Sequence, residues 1–385
     1  MKLLYDHQIF TWQNSGGISR YFCELMSQFD PDTGVDFSLA LRYSQNEPLH
    51  QHPQLNRFWT HRNDFFSDSR FFSGLQKKIH VNVLNHIFNN QRESVKRLKE
   101  QDFDVFHPTY YDPYFLKHLV NKYYVLTIYD MIHEKFPDNF DKYDLTGSRK
   151  KLLAENAKQI ITISGNTKKD IVKYLDIPKD KIQVIYLANA LSRVKKTDSS
   201  NISVFIKLPK HYLLFIGNRS GYKNFTFLIK ALFPVLKTNE NLHIVCAGGG
   251  YFSDSEKNLI RKMNMVTRVH HYPADDATLQ HLYKNAYAFI FPSLYEGFGI
   301  PVLEAFSCGC PAVLSNTSSL PEVGGDSALY FDSFNTNSLT NAVERILSDE
   351  TLRKNLITKG CERSKLFSWE KTAAMTKKVY EIALE

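Results

Sequence analysis

The sequence predicts an α/β protein built from two doubly wound, Rossmann-like domains that face each other across a cleft. Three observations carry this prediction. The chain has 385 residues, 43% of them hydrophobic, which is enough for two cores and too much for one compact domain. Short apolar runs alternate with stretches of helical periodicity, the pattern of a parallel sheet covered on both faces. A polar break, LSRVKKTDSSNIS, interrupts the alternation after residue 190, and a second series starts at HYLLFIG. The expected units are residues 1–195, residues 196–370 and a C-terminal helix, 371–385, packed back toward the first domain.

The first unit opens with a strand, KLLYDHQIF, then the loop TWQNSGG, then a helix, ISRYFCELMSQF, in which Ile18, Tyr21, Phe22, Leu25 and Phe29 recur at helical spacing. Further strands are expected at FDVFHP, YYVLTIYD, QIITIS and KIQVIYL. The second unit runs from HYLLFIG through the helix NFTFLIKALFPVL, the strand LHIVCAGGG, the helical LQHLYKNA, the strand YAFIFPS, the helix PVLEAFSCG and the strand PAVLS into a helical C-terminus. Two such domains bind a ligand at the carboxyl ends of their strands.

Composition then narrows the chemistry. A formal net charge of +8 favours anionic partners, a description that covers nucleic acid, anionic lipid and sugar diphosphate alike. No RNP, zinc-finger or zipper pattern supports nucleic acid. No apolar run approaches the roughly 18 residues of a membrane-spanning helix. The opening MKLLYDHQIFTW, broken by Asp6 and His7, lacks a signal-peptide layout, so a cytoplasmic protein is expected. The five scattered cysteines suit buried thiols in a reducing compartment, and Cys308 and Cys310 have no second pair or histidine to complete a zinc set. The pairs Asp30/Asp32 and Asp102/Asp104 read as surface turns. No metal and no cofactor are expected.

The most informative stretch is PSLYEGFGIPVLEAFSCGCP, residues 292–311. A strand ends near Ser293, Pro301 suits the first helical position, and Gly309 followed by Pro311 terminates the helix. Backbone N–H groups from Gly299 to Val302, with the positive end of the helix, form an anion site that Gly297 and Gly299 let a ligand approach closely. Glu296 and Glu304 bracket that site. Carboxylates repel phosphate but accept hydrogen bonds from hydroxyls, so the ligand they suggest carries hydroxyls on both sides of its phosphates. A nucleotide sugar fits. Taken alone, Glu304 also suits the first turn of a helix and Glu296 a loop cap. In GNRSGYKN, Arg219 and Lys223 converge on a loop between a strand and a helix, and Gly16 and Gly17 open the first helix.

These motifs, in this order, resemble the retaining glycosyltransferases of family 4, which have the GT-B fold: the spacing E-x7-E is met by Glu296 and Glu304, and the likeness extends from DHQIFTWQNSGGISRYF through NRSGYKNFTFLIKAL to SSLPEVGGDSALYFD and FSWEKTA. The resemblance implies that Glu304 binds the donor ribose, that Glu296 with Gly297, Phe298 and Gly299 lies against the transferred hexose, and that Gly16, Gly17, Arg219, Lys223, Gly299 and Ile300 hold the diphosphate. It implies front-face attack without a covalent protein nucleophile, so the protein contributes positioning and charge. Many members carry a histidine immediately before the aspartate at the end of YYVLTIYD, where this chain has Tyr129. Asp130 is the candidate for orienting an acceptor hydroxyl, with His133 a second polar candidate beside it.

GGISRYF and TIYDMIHEKFP look most like the members that build bacterial lipopolysaccharide O-antigen, which makes GDP-mannose the first donor to expect and a glycan or lipid-linked oligosaccharide the acceptor. The base is expected near HHYPADDATL. Residues 57–99, rich in aromatics and cations, suggest peripheral contact with the inner face of the cytoplasmic membrane, or equally an amphipathic helix pair burying Phe65, Phe66, Phe71, Phe72, Leu75, Ile79 and Leu84. A sugar-nucleotide epimerase or hydrolase, and a glycan-binding protein on the same fold, are the competing readings.

Overall fold

The computed structural model describes residues 1–61, 79–189, 191, 207–219, 221–272 and 275–385. The linker expected after residue 190 falls largely outside the described residues, as do residues 62–78 of the aromatic and basic stretch 57–99, including Phe65, Phe66, Phe71, Phe72 and Leu75.

Two six-stranded, all-parallel sheets form the cores. The first takes β1 (Lys2–Tyr5), β2 (Asp36–Leu39), β5 (Val105–His107), β6 (Tyr123–Ile128), β7 (Gln159–Thr162) and β8 (Ile182–Val184) in the order β2-β1-β5-β6-β7-β8. A small parallel pair, β3 (Tyr43–Ser44) and β4 (Thr60–His61), lies beside it. The second sheet takes β9 (His211–Ile216), β10 (Leu242–Ala247), β11 (Val269–Tyr272), β12 (Ala288–Phe291), β13 (Ala312–Ser315) and β14 (Ala328–Phe331) in the order β11-β10-β9-β12-β13-β14. The near-continuous apolar strands β6, β9, β10, β12 and β13 are those buried on both faces, as parallel strands under helices must be.

The first strand is shorter than its apolar pattern suggests. It stops at Tyr5, and Gln8–Trp12 forms a short helix. The cause is Asp6, fully buried, whose carboxylate accepts from the Gln8 side chain (2.8 Å), the Thr109 amide (2.8 Å) and the hydroxyls of Thr109 (2.7 Å) and Tyr114 (3.0 Å). A buried carboxylate needs such partners, and gathering them turns the chain away from the sheet.

The C-terminal helix Trp369–Leu384 leaves the second domain and packs on β6 and β7 of the first. Ser368 caps it by accepting from the Lys371 amide. Its Tyr380 hydroxyl lies 2.9 Å from that of Tyr5 and 2.7 Å from His107 Nδ1, and the His107 Nε2 meets Thr127 at 2.9 Å. Burial holds the His107 pKa down to about 3, so this polar knot is neutral. Among the described residues, no helix is long and apolar enough to cross a membrane.

Candidate active site

Both sheets direct the ends of their strands at one cavity of about 500 Å³. Gly16, Gly17, Arg20, Tyr129 and Asp130 line it from the first domain; Tyr222, Lys223, Glu296, Gly297, Phe298, Gly299, Ile300 and Glu304 line it from the second. These residues follow β1, β6, β9 and β12. The strand order reverses beside β1 in one sheet and between β9 and β12 in the other, which is where doubly wound sheets open a crevice.

The second-domain wall is a tight turn, residues 293–299, braced from behind by the segment after β13. Ser319 Oγ lies 2.9 Å and 2.8 Å from the carbonyls of Glu296 and Phe298, and Ser318 Oγ accepts from the Glu296 amide at 2.9 Å. Gly299 caps the helix Ile300–Ser307 at φ +103, and a Cβ there would meet Leu320 at 2.9 Å, so the turn requires glycine. The Val302 N–H closes on the Gly299 carbonyl at 2.9 Å. Pro301 has no N–H, so the expected anion site narrows to the amides of Gly299 and Ile300.

Lys223 Nζ donates to Glu296 Oε1 at 2.6 Å. Burial disfavours the ammonium, but Glu296, with Tyr222 and Asp130 behind it, more than offsets this and raises the Lys223 pKa above its ordinary value. Glu296 is therefore charge-compensated. Glu304 is almost fully buried and accepts from the Tyr283 hydroxyl at 3.1 Å. Burial pushes its carboxyl up to about 7, against the opposing pull of Arg20 and that hydroxyl.

On the first-domain wall, Gly16 caps the helix Gly17–Met26, and nothing stands within 4 Å of where a Gly17 Cβ would be. Asp130 Oδ1 accepts from the Ile132 amide at 3.1 Å. The buried Lys150 fixes this corner, donating to the Asp130 carbonyl at 2.9 Å and to Glu134 at 3.0 Å.

The domains meet tightly around the cavity. A Cβ on Gly297 would collide with the Tyr129 carbonyl. The Tyr295 hydroxyl donates to Asp170 at 2.9 Å and accepts from the Met131 amide at 3.3 Å. Glu322, in the second domain, accepts from the Gly165 (2.7 Å) and Asn166 (3.2 Å) amides at the start of the first-domain helix Gly165–Leu175. Arg20 Nη2 reaches across to Asp276 Oδ1 at 2.6 Å.

Two expected site residues are not brought to the cavity. Arg219 turns its guanidinium away: Nε donates to Glu256 at 3.0 Å, Nη1 to the Gly248 carbonyl at 2.7 Å, and Nη2 lies 3.2, 2.7 and 3.0 Å from the carbonyls of Gly249, Gly250 and Tyr251. Its contacts hold the triple-glycine loop. His133 stacks on Phe140 with ring centroids 3.9 Å apart and its Nε2 faces Asp144 at 3.4 Å, outside the cavity lining. Burial and the nearby Lys150 hold its pKa down. In the segment expected near the base, residues 273 and 274 lie outside the described residues, and Asp275 caps the helix Asp276–Asn285.

Sequence reasoning missed Arg20, Tyr222, Lys150 and the Ser318/Ser319 brace. One signal for Arg20 was available. It is a cation one turn into a helix with no acidic residue in its first turn, against the dipole.

The cleft of this two-domain α/β protein joins a turn with free backbone amides to two carboxylates, an arrangement able to receive an anionic group flanked by hydroxyls. Comparison with known proteins agrees. Residues 15–189 match the model "Glycosyltransferase Family 4" and residues 197–363 match "Glycosyl transferases group 1". The chain is 29% identical over 301 residues to the O-antigen chain mannosyltransferase B of Escherichia coli, covering 76% of this chain and 77% of that one. Among solved structures it resembles sucrose-phosphate synthase from Thermosynechococcus elongatus (TM-score 0.72, 20% identity, covering 99% and 98% of the two chains) and Anabaena HepE in complex with UDP and glucose (TM-score 0.72, 15% identity, covering 98% of each). The protein belongs to the family 4 glycosyltransferases with the GT-B fold, and is a sugar-transferring enzyme.

Proposed function

We propose that the enzyme transfers mannose from GDP-mannose, with retention, to a glycan or lipid-linked oligosaccharide acceptor in bacterial O-antigen assembly. The observation that carries the reading is the cavity, which gathers Glu296, Glu304, Lys223, the Gly299 and Ile300 amides and the Gly16-Gly17 turn within one volume. The likeness to the Escherichia coli O-antigen mannosyltransferase supports the sugar and the pathway.

In this scheme the donor ribose hydroxyls meet Glu304 and the diphosphate lies on the Gly299 and Ile300 amides beside Lys223. The hexose rests against Gly297 and Phe298, its hydroxyls on Glu296. Lys223 neutralises Glu296, so a carboxylate sits beside the diphosphate without repelling it. The acceptor hydroxyl, oriented by Asp130, attacks the anomeric carbon from the face the diphosphate is leaving. A glycosidic C–O bond forms, the anomeric C–O bond to diphosphate breaks, and the hydroxyl proton passes to a diphosphate oxygen. No protein nucleophile is consumed, and fixed donors stabilise the departing charge.

A thermal-shift titration against GDP-mannose, GDP, UDP, UDP-glucose and dTDP-rhamnose tests the donor, because a ligand bound only by the folded state raises apparent stability. The expected result is a shift with the GDP series alone, followed by anomeric-retained mannoside product by NMR. A shift confined to UDP or dTDP ligands would overturn the donor, and hydrolysed donor without glycoside would overturn the transfer.

A further inference from the structure

We infer that Arg20 is a second cation for the donor diphosphate, a role delivered from the first domain across the cleft; this deepens the donor-site reading above and rests on it. A nucleoside diphosphate leaving group carries two or more negative charges. The acids and bases lining the cavity, tyrosines aside, are Asp130, Glu296 and Glu304 on one side of the balance and Lys223 and Arg20 on the other. Lys223 already compensates Glu296 at 2.6 Å. Arg219, which the sequence suggested as the second cation, has all three guanidinium nitrogens committed to Glu256 and the carbonyls of residues 248–251.

Arg20 stands in the opposite condition. It too is ion-paired, Nη2 with Asp276 at 2.6 Å, but among the described residues that is its one hydrogen bond, which leaves Nε and Nη1 uncommitted in a side chain that lines the cavity. A planar guanidinium with two nitrogens in hand matches the geometry of a phosphate better than any other side chain. Its backbone setting is consistent with a ligand rather than with helix stability. It sits one turn into the helix capped by Gly16, beside the open space over Gly17, where the helix dipole opposes a cation. Its anchor, Asp276, belongs to the other domain, so the same side chain ties the domains together and lines the cavity between them. Donor binding and domain closure then share one residue.

The experiment separates phosphate binding from a purely bridging role. Affinities for GDP and for guanosine are measured on the full-length protein for the wild type, Arg20→Ala, Arg20→Lys and Asp276→Asn, with UDP and uridine in parallel. Arg20→Ala is expected to bind the diphosphate at least tenfold more weakly and the nucleoside within about twofold, with Arg20→Lys recovering part of the loss. Asp276→Asn removes the bridge but keeps the cation, and is expected to bind the diphosphate as well as the wild type or better. Equal losses for nucleoside and diphosphate in Arg20→Ala, or the same losses in Asp276→Asn, would make Arg20 a bridge alone and overturn the proposal. Wild-type protein that binds neither GDP nor UDP would overturn the donor-site reading itself, whereas wild-type binding matched by Arg20→Ala would remove only Arg20.

Discussion

Glu304 is the residue whose chemistry is most exposed to measurement. Its carboxyl titrates near 7, raised first by burial, while the unfolded chain holds it near the usual 4.5. The sign follows from proton counting: between those values the folded state binds the proton and the unfolded state does not. Glu304 therefore contributes stability that is complete below about pH 4.5 and lost as pH rises through about 7. Nucleotide binding should run the other way. Ribose hydroxyls donate to the carboxylate, so the charged form is the competent one, and affinity for the donor nucleotide is expected to rise roughly tenfold from pH 6 to pH 8 with release of a proton. Calorimetry in buffers of different ionisation enthalpy reads that proton directly. Glu304→Gln should abolish the pH dependence and weaken binding by about 1.5–3 kcal/mol; a pH profile that survives the substitution would assign the titration to another group.

At the scale of elements, the turn of residues 293–299 is where backbone shape, rather than charge, limits the enzyme. Gly297 lies against the Tyr129 carbonyl of the other domain, and a methyl group there meets backbone that cannot rotate away. Gly297→Ala is expected to lower turnover by roughly tenfold or more while both domains stay folded, because misplacing Glu296 against the acceptor side spoils alignment. Unchanged kcat with normal thermal melting would show that the domains close with more room than this contact allows. The same turn shows what could be read before the fold was known. Its glycines, its proline and the spacing of Glu296 and Glu304 are local features, and strands buried on both faces announce themselves as apolar runs. The strands β2 and β14 were not recognised, because they are four residues long and half of each is only partly buried or exposed. The short helix after β1 depends on Asp6 reaching Thr109 and Tyr114, about a hundred residues away, which no window of sequence contains. Arg219 sits in the right loop but spends its guanidinium on distant carbonyls and Glu256, and His133, in the short helix Ile132–Lys135, stacks on Phe140, for the same reason.

Across the whole molecule, the cavity exists only while the domains are held together, and polar contacts add to an apolar core that runs through both of them. Glu322 is the clearest case. Its two oxygens accept from the first two amides of the helix Gly165–Leu175, so a carboxylate of one domain serves as the N-terminal anion of a helix in the other. A helix start favours an anion through both its free N–H groups and its dipole, a stabilisation of about 1–2 kcal/mol that is present only in the closed arrangement. A difference of that size moves a two-state opening equilibrium roughly five- to thirtyfold. Glu322→Ala is therefore expected to enlarge the radius of gyration of the ligand-free enzyme in small-angle scattering, with donor nucleotide restoring the compact form. Hydrogen exchange at the Gly165 and Asn166 amides should quicken in step. If exchange quickens while scattering is unchanged, Glu322 caps a helix without governing closure, and the remaining contacts between the domains, the shared apolar core among them, hold the cleft.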